Sequence, residues 1–434
     1  MRVSKCSFQV KFIPDLIELM GNQNIDRTVL HNGIVVITAE NQAADIVSAK
    51  IFLRIGSCHE PRHLAGISHL LAAVLSKGTD KLSSLDIAHR VESVGARLGT
   101  DTTPDYFLLS IKTVSADFAD IFKLSGEIIR SPSLPEAEIE LERRIILQGI
   151  RSQLEQPFTI AFSQLREMMY QDHPYSLSTL GTEATVSQIS RTDLQKFHQT
   201  YFRPDNIVIS LVGRISHSEA IALVEQVFGN WQPPATPLPK LNLPTITPQP
   251  DTATKYQETQ QSIIMLGYLA ANVNSSDYFP LKLLNTYLGN GLSSRLFVEL
   301  REKRGLAYDV SAFYPTRLDT SNFTVYIGTA AENTAIARSG LRAEVERLVA
   351  NPLSDEELQA AKNKLLGQYA LGKQTNSQIA QILGWYETLG LGIDFDSQFQ
   401  QNIAMVTTAE AQQVACKYLI EPYISIVGPA VGDE

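Results

Sequence analysis

Apolar residues recur along the chain in two periods. Short apolar runs at 33–38, 46–55, 106–114, 207–212, 262–268, 322–329 and 424–427 predict buried strands. Longer segments between them repeat apolar positions every three or four residues and predict amphipathic helices. Leu64, Ile67, Leu71 and Val74 predict one helix over 62–79, with Gly78 as its C-cap. Another is predicted over 293–303, closed by Gly305 and followed by an edge strand through Tyr308. The segment 95–114 reads as a strand pair. Strands and helices do not alternate regularly, so the pattern predicts an α+β fold with a largely antiparallel or mixed sheet.

The pattern also occurs twice. ISRTDLQKFHQTYFRPDNIVISLVG at 189–213 and VTTAEAQQVACKYLIEPYISIVG at 406–428 both read as a short helix ending at an aromatic residue (Tyr201, Tyr418). Each then has a proline (Pro204, Pro422), an apolar run and a glycine. SPSLPEAEIELERRIILQGI from Ser131 and NPLSDEELQAAKNKLLGQYA from Asn351 form a second pair. Each opens on a Ser-x-x-Glu box, Ser133 with Glu136 and Ser354 with Glu357. The offsets, 215 to 221 residues, lie close to half of the 434-residue chain. Between the halves, 231–250 is dense in proline and predicts an extended connector. The expected organisation is two homologous α/β-sandwich domains, 1–230 and 251–434, joined by that linker.

Composition narrows the function classes. A hydrophobic share of 44% and a charged share of 19% describe a globular chain. The net charge of −9 argues against nucleic acid or anionic membranes as partners. No apolar run reaches the roughly 20 residues of a membrane helix. Residues 1–20 intersperse charges without an apolar core, so no secretory leader is read and a cytoplasmic location is expected. Three distant cysteines, Cys6, Cys58 and Cys416, imply no disulfide framework and fit a reducing compartment.

The segment GSCHEPRHLAGISHLLAAVLSKGT resembles the start of the pitrilysin/insulinase-type metallopeptidases, the inverzincins, and within them the mitochondrial-processing-peptidase-like branch. In that family a Gly-x-x-His-x-x-Glu-His stretch on one helical face supplies two zinc-binding histidines and a glutamate that activates water. Here His69 holds the first position, but Ala72 replaces the glutamate and Ala73 the second histidine. About 75 residues on, where the family carries a glutamate ligand, IILQGI places Gly149. Alanine and glycine offer no donor, and a catalytic zinc needs three protein ligands. The resemblance therefore implies a degenerate motif and a chain that binds no cofactor of its own. Nearby Glu140 and Glu142 read as a solvated helix face rather than substitute ligands.

A second segment, LGNGLSSRLFVELREKRGLAYDVSAFY, resembles the family's C-terminal signature. Its Gly-x-Gly at 289–291 lacks the lysine spacing of a phosphate loop. In the family this signature sets an arginine and a tyrosine, seven residues apart, against bound peptide; here they are Arg301 and Tyr308. An arginine fork and a phenolic hydroxyl both suit a carbonyl oxygen that turns negative. Some family members are heterodimers in which one subunit bears the zinc motif and the other this pair. The resemblance implies the second kind of subunit. Its expected partners are a zinc-bearing homologue, whose zinc the pair would serve in trans, and peptide substrates; alone it could pair with itself. The alternative is a non-catalytic scaffold subunit of a larger complex. A self-sufficient hydrolase is disfavoured, because no Gly-x-Ser-x-Gly motif occurs.

Overall fold

The computed structural model describes residues 25–429. The leader reading of 1–20 and Cys6 lie outside that range. Among the described residues, eleven strands form two sheets. The first contains β1 (Ile25–Val29), β2 (Val35–Glu40), β3 (Ile46–Leu53), β4 (Arg97–Thr102), β5 (Phe107–Val114) and β6 (Ile207–Gly213), in the order β1-β2-β6-β3-β5-β4. The second contains β7 (Thr252–Tyr256), β8 (Gln261–Ala270), β9 (Asp309–Phe313), β10 (Ser321–Ala330) and β11 (Tyr423–Gly428), in the order β7-β11-β8-β10-β9. With β1 set aside, the two orders correspond strand for strand. Each sheet has one parallel pair, β2 with β6 and β7 with β11, and is otherwise antiparallel. The mixed sheets and the internal duplication expected from the sequence are both present.

The apolar runs explain which strands are central. Every residue of β6 (IVISLVG) and β11 (YISIVG) is buried, as strands covered on both faces require. One face of each sheet carries helices of its own half. The other face carries a helix from the opposite half. Helix Pro157–Tyr170 lays Ile160, Leu165 and Met169 against Met265, Tyr423 and Val427 of the second sheet. Helix Asn376–Thr388 lays Ala380 and Leu383 against Phe52, Val208 and Val212 of the first. The crossing is fastened by polar contacts: Arg27 and Glu387 pair at 2.8 Å, and the Asn376 amide donates to the Ile46 carbonyl at 2.9 Å. Residues 231–250 contain neither helix nor strand.

Three local expectations change. The helix expected over 62–79 runs only Ile67–Leu75, because Gly66 takes the left-handed conformation (φ +96°) and breaks it from a short turn at Arg62–Leu64. Gly78 is not its cap; it bridges to Ser83. The Ser354 capping box forms, with the Glu357 amide donating to Ser354 Oγ at 3.2 Å. That of Ser133 does not. Helix Glu136–Glu155 starts from Pro135, and the Ser133 amide is drawn away to the Gly78 carbonyl at 3.1 Å. Finally, the helix around Arg301 is wound as a π-helix over Phe297–Glu302.

Candidate functional site

Glu60 sets the position of the first motif. Half-buried at the N-terminus of helix Ile67–Leu75, its carboxylate accepts the Gly66 amide at 2.7 Å, the Ser68 amide at 2.9 Å and the Ser68 hydroxyl. These are the orphan donors of a helix N-terminus. Burial pushes the Glu60 carboxyl up to about 7. One turn later His69 lies half-buried, its imidazole held below the ordinary histidine range by burial, with Asp101 and Glu142 opposing that shift. Ala72 is 3% exposed and Ala73 partly buried. Gly149 sits inside helix Glu136–Glu155, where a Cβ would meet nothing within 4 Å.

These positions do not fit a zinc ion. His69 is the one donor among the four, and among the described residues no three histidine, cysteine, aspartate or glutamate side chains converge as a metal site. The helix-face reading of the two glutamates also needs revision. Glu140 is exposed and pairs with Arg143 at 3.0 Å, but Glu142 is held at 2.8 Å by Lys77. A carboxylate already neutralised by an ammonium is a poor ligand.

Arg301 and Tyr308 lie in the second half, at the edge strand β9. Gly305 (φ +64°) closes the π-helix, with its amide on the Arg301 carbonyl at 3.1 Å and the Leu306 amide on that of Leu300 at 2.9 Å. The chain then enters the sheet through the Tyr308 amide, which donates to the Gly328 carbonyl at 2.8 Å. Arg301 is exposed and stacks on the Phe297 ring at 5.1 Å. Tyr308 is 57% exposed. Neither side chain has a hydrogen-bond or ion-pair partner among the described residues, and no such contact joins them to His69, Ala72, Ala73 or Gly149. The Gly-x-Gly before them is packing: Gly289 leaves room for the Ala312 backbone and Gly291 takes φ +75°.

Sequence reasoning missed a buried polar cluster where the halves meet. The Tyr175 hydroxyl donates to Asp105, which also faces Arg317 at 3.5 Å; His173 meets Asp319 at 3.3 Å. Cys58 Sγ lies 3.2 Å from His59 Nδ1, a Cys/His adjacency that the sequence shows as neighbours. The thiol is 4% exposed, and burial pushes it well above the usual cysteine range, so it is not an activated nucleophile.

Two sequence models of one peptidase family match the chain in succession. Insulinase (peptidase family M16) matches residues 35–183, and the peptidase M16 inactive domain matches 188–365. The chain belongs to the insulinase family, peptidase M16. It is 28% identical to the uncharacterized zinc protease YmxG of Bacillus subtilis, over 84% of this chain and 90% of that protein. It is 26% identical to an uncharacterized zinc protease of Streptomyces coelicolor, over 94% and 90%. A crystal structure of a peptidase M16 inactive domain from Pseudomonas fluorescens superposes with a TM-score of 0.88 at 25% identity, covering 95% of this chain and 100% of that one. A protease from Helicobacter pylori shares the fold, with a TM-score of 0.87 at 22% identity over 93% of this chain and 99% of that one. No helix among the described residues is long and apolar enough to cross a membrane.

Proposed function

We propose that the chain is the metal-free member of a two-chain zinc peptidase of the M16 family, presenting Arg301 and Tyr308 to peptide held at a homologous partner's zinc. Relatives in Bacillus subtilis and Streptomyces coelicolor are named as zinc proteases, so peptide-bond hydrolysis is the chemistry in which it takes part. The observation that carries the reading is a contrast within the chain. The zinc position keeps its helices but only one donor, whereas Arg301 and Tyr308 stand exposed with no hydrogen-bond or ion-pair partner among the described residues.

Their chemistry follows from their groups. The Tyr308 hydroxyl donates to a carbonyl oxygen as that oxygen gains charge, and the Arg301 fork binds an adjacent peptide carbonyl. The zinc that activates the attacking water belongs to the partner. β4 ends the first sheet beside helix Ile67–Leu75, and its free edge can take an extended peptide through main-chain hydrogen bonds.

The test is Tyr308→Phe, which keeps the ring and deletes the donor. Losing one oxyanion donor lowers kcat by about 10²–10³. The variant complex should stay intact on size-exclusion chromatography and lose at least about tenfold in peptide hydrolysis. Wild-type turnover in that complex would make the pair structural and favour a scaffold role. No shift to a heterodimer on mixing with the zinc-bearing homologue would remove the partnership itself.

A further inference from the structure

A cavity of 710 Å³ opens one residue beyond Gly149, between helices Glu136–Glu155 and Pro157–Tyr170, the 176–184 segment and β7. That volume falls within the range of small-molecule sites. Its walls are partly apolar, through Ile150, Leu154, Ile160 and Leu177. Three further lining residues carry buried polar atoms with no hydrogen-bond partner among the described residues: Arg166 Nε, Ser176 Oγ and Gln164 Oε1. Ser176 is 4% exposed.

Arg166 is the desolvated cation of the site, which Lys255, Glu167 and Glu183 also line. Its other two nitrogens donate to the Leu177 carbonyl at 3.1 Å and to Ser163 Oγ at 3.3 Å, and its guanidinium lies 4.9 Å from the Phe162 ring. Among the described residues no carboxylate stands within ion-pair distance of it. Glu167 adds only a weaker favourable field, Arg317 adds positive potential, and Glu183 is occupied by Arg151 at 3.1 Å. Burial accordingly pulls the Arg166 guanidinium below its ordinary range. A desolvated cation and an idle hydroxyl lining one cavity call for an anionic acceptor. The Gln164 carbonyl oxygen calls for a donor within reach of that anion. The apolar wall calls for a hydrocarbon side chain.

We propose that this cavity binds the free C-terminal carboxylate of a peptide with an apolar last residue. The carboxylate meets Arg166 and Ser176, the last peptide N–H meets Gln164, and the side chain covers Ile150 and Leu154. Inorganic phosphate satisfies the first demand and leaves the other two unmet. The site lies wholly in this chain and is independent of the trans-acting reading of Arg301 and Tyr308.

Calorimetric titration of the full chain, without any partner, tests it. The probes are Ala-Ala-Leu with a free carboxylate, the same tripeptide as its C-terminal amide, and inorganic phosphate. The acid should bind saturably, and the amide and phosphate at least about tenfold more weakly. Arg166→Gln should weaken the acid by at least about tenfold. Ala184→Trp, at the exposed rim, should abolish binding by filling the mouth. It decides the matter if circular dichroism shows Arg166→Gln unfolded. Equal affinity for acid and amide, phosphate binding as tightly as the acid, unchanged binding by Ala184→Trp, or no binding up to about 10 mM peptide would each overturn the assignment.

Discussion

In the first half, the segments around His69 and the missing ligands are fastened by polar contacts. Glu60 takes up the N-terminal amides of helix Ile67–Leu75, Lys77 holds Glu142, and Arg143 donates to the carbonyls of Val186 and Ile189. In the second half, the Arg301 guanidinium stacks on Phe297 without an ion-pair partner among the described residues, and Tyr308 is fixed by its backbone while its hydroxyl stays open. The two halves share a strand order, so this difference is not one of architecture. None of these fastenings uses a side chain at position 69, 72, 73 or 149, so the helices keep their places without donors there. The open groups of the second half are what an acting surface needs, because a committed side chain has nothing left to give a substrate.

The sharpest way to break this contrast is to restore the first motif. Ala73→His with Gly149→Glu brings the donors to three with His69, the number a catalytic zinc requires. Gly149 offers open space for a side chain, whereas Ala72 is packed and is better left alone. The wild-type chain should carry no stoichiometric zinc after dialysis, and the double variant about one zinc per chain. Zinc in the wild-type protein that disappears with His69→Ala would defeat the reading; its absence from a folded double variant would show that ligand orientation was lost as well.

A second prediction concerns the crossed helices. Leu165 of the first half is buried in the second sheet, and Leu383 of the second half in the first. Leu→Ala at either site should cost about 2–5 kcal/mol. Because each helix completes the other half's core, both variants should lower one shared thermal transition. Two separate transitions, with only one moved, would show that the halves are stable independently.

The third prediction separates the halves by pH. His198 is buried in helix Arg191–Tyr201, its Nε2 2.8 Å from the Ile129 carbonyl. Ala415 occupies the equivalent place 217 residues on, as Tyr418 does for Tyr201 (415 − 198 and 418 − 201). Burial lowers the His198 imidazole to about 4, against an ordinary value of 6.5. The unfolded chain therefore binds the proton more readily. The contribution to stability is complete above pH 6.5 and lost as pH falls toward 4, amounting to about 3 kcal/mol. Hydrogen exchange at pH 5 should open helix Arg191–Tyr201 before helix Thr408–Tyr418. Equal loss of protection in the two helices, or an unchanged profile in His198→Gln, would count against this cause.

The sequence made the central strands legible because β6 and β11 are continuous apolar runs. It also made the duplication legible, because those runs follow matching helices. The polar edge strand β7 (TATKY) was not read, since its residues are mostly exposed and its pairing comes from β11 rather than from its own pattern. The crossing of helix Pro157–Tyr170 onto the opposite sheet could not be read either, because amphipathic spacing names a buried face and not its partner. The site divided the same way. His69, Arg301 and Tyr308 stand in motifs, whereas Arg166, Ser176 and Gln164 gain meaning only from the cavity that two helices, the 176–184 segment and β7 close.

The smallest predicted effect turns on two serines that looked equivalent. Ser354 Oγ accepts the Glu357 amide at 3.2 Å, while the Ser354 amide donates to the Glu357 carboxylate at 3.0 Å. Ser133 makes neither bond, since Pro135 begins its helix and Leu134 takes a left-handed turn (φ +46°) that carries Ser133 toward Gly78. Ser354→Ala should therefore cost about 1 kcal/mol, the usual loss for an N-cap. Ser133→Ala should stay within about 0.5 kcal/mol of wild type, as for a surface change that removes no bond. Denaturant titration of both variants against the parent measures the difference. Equal losses would mean that Ser133 caps its helix in solution and that the two helix starts are alike after all.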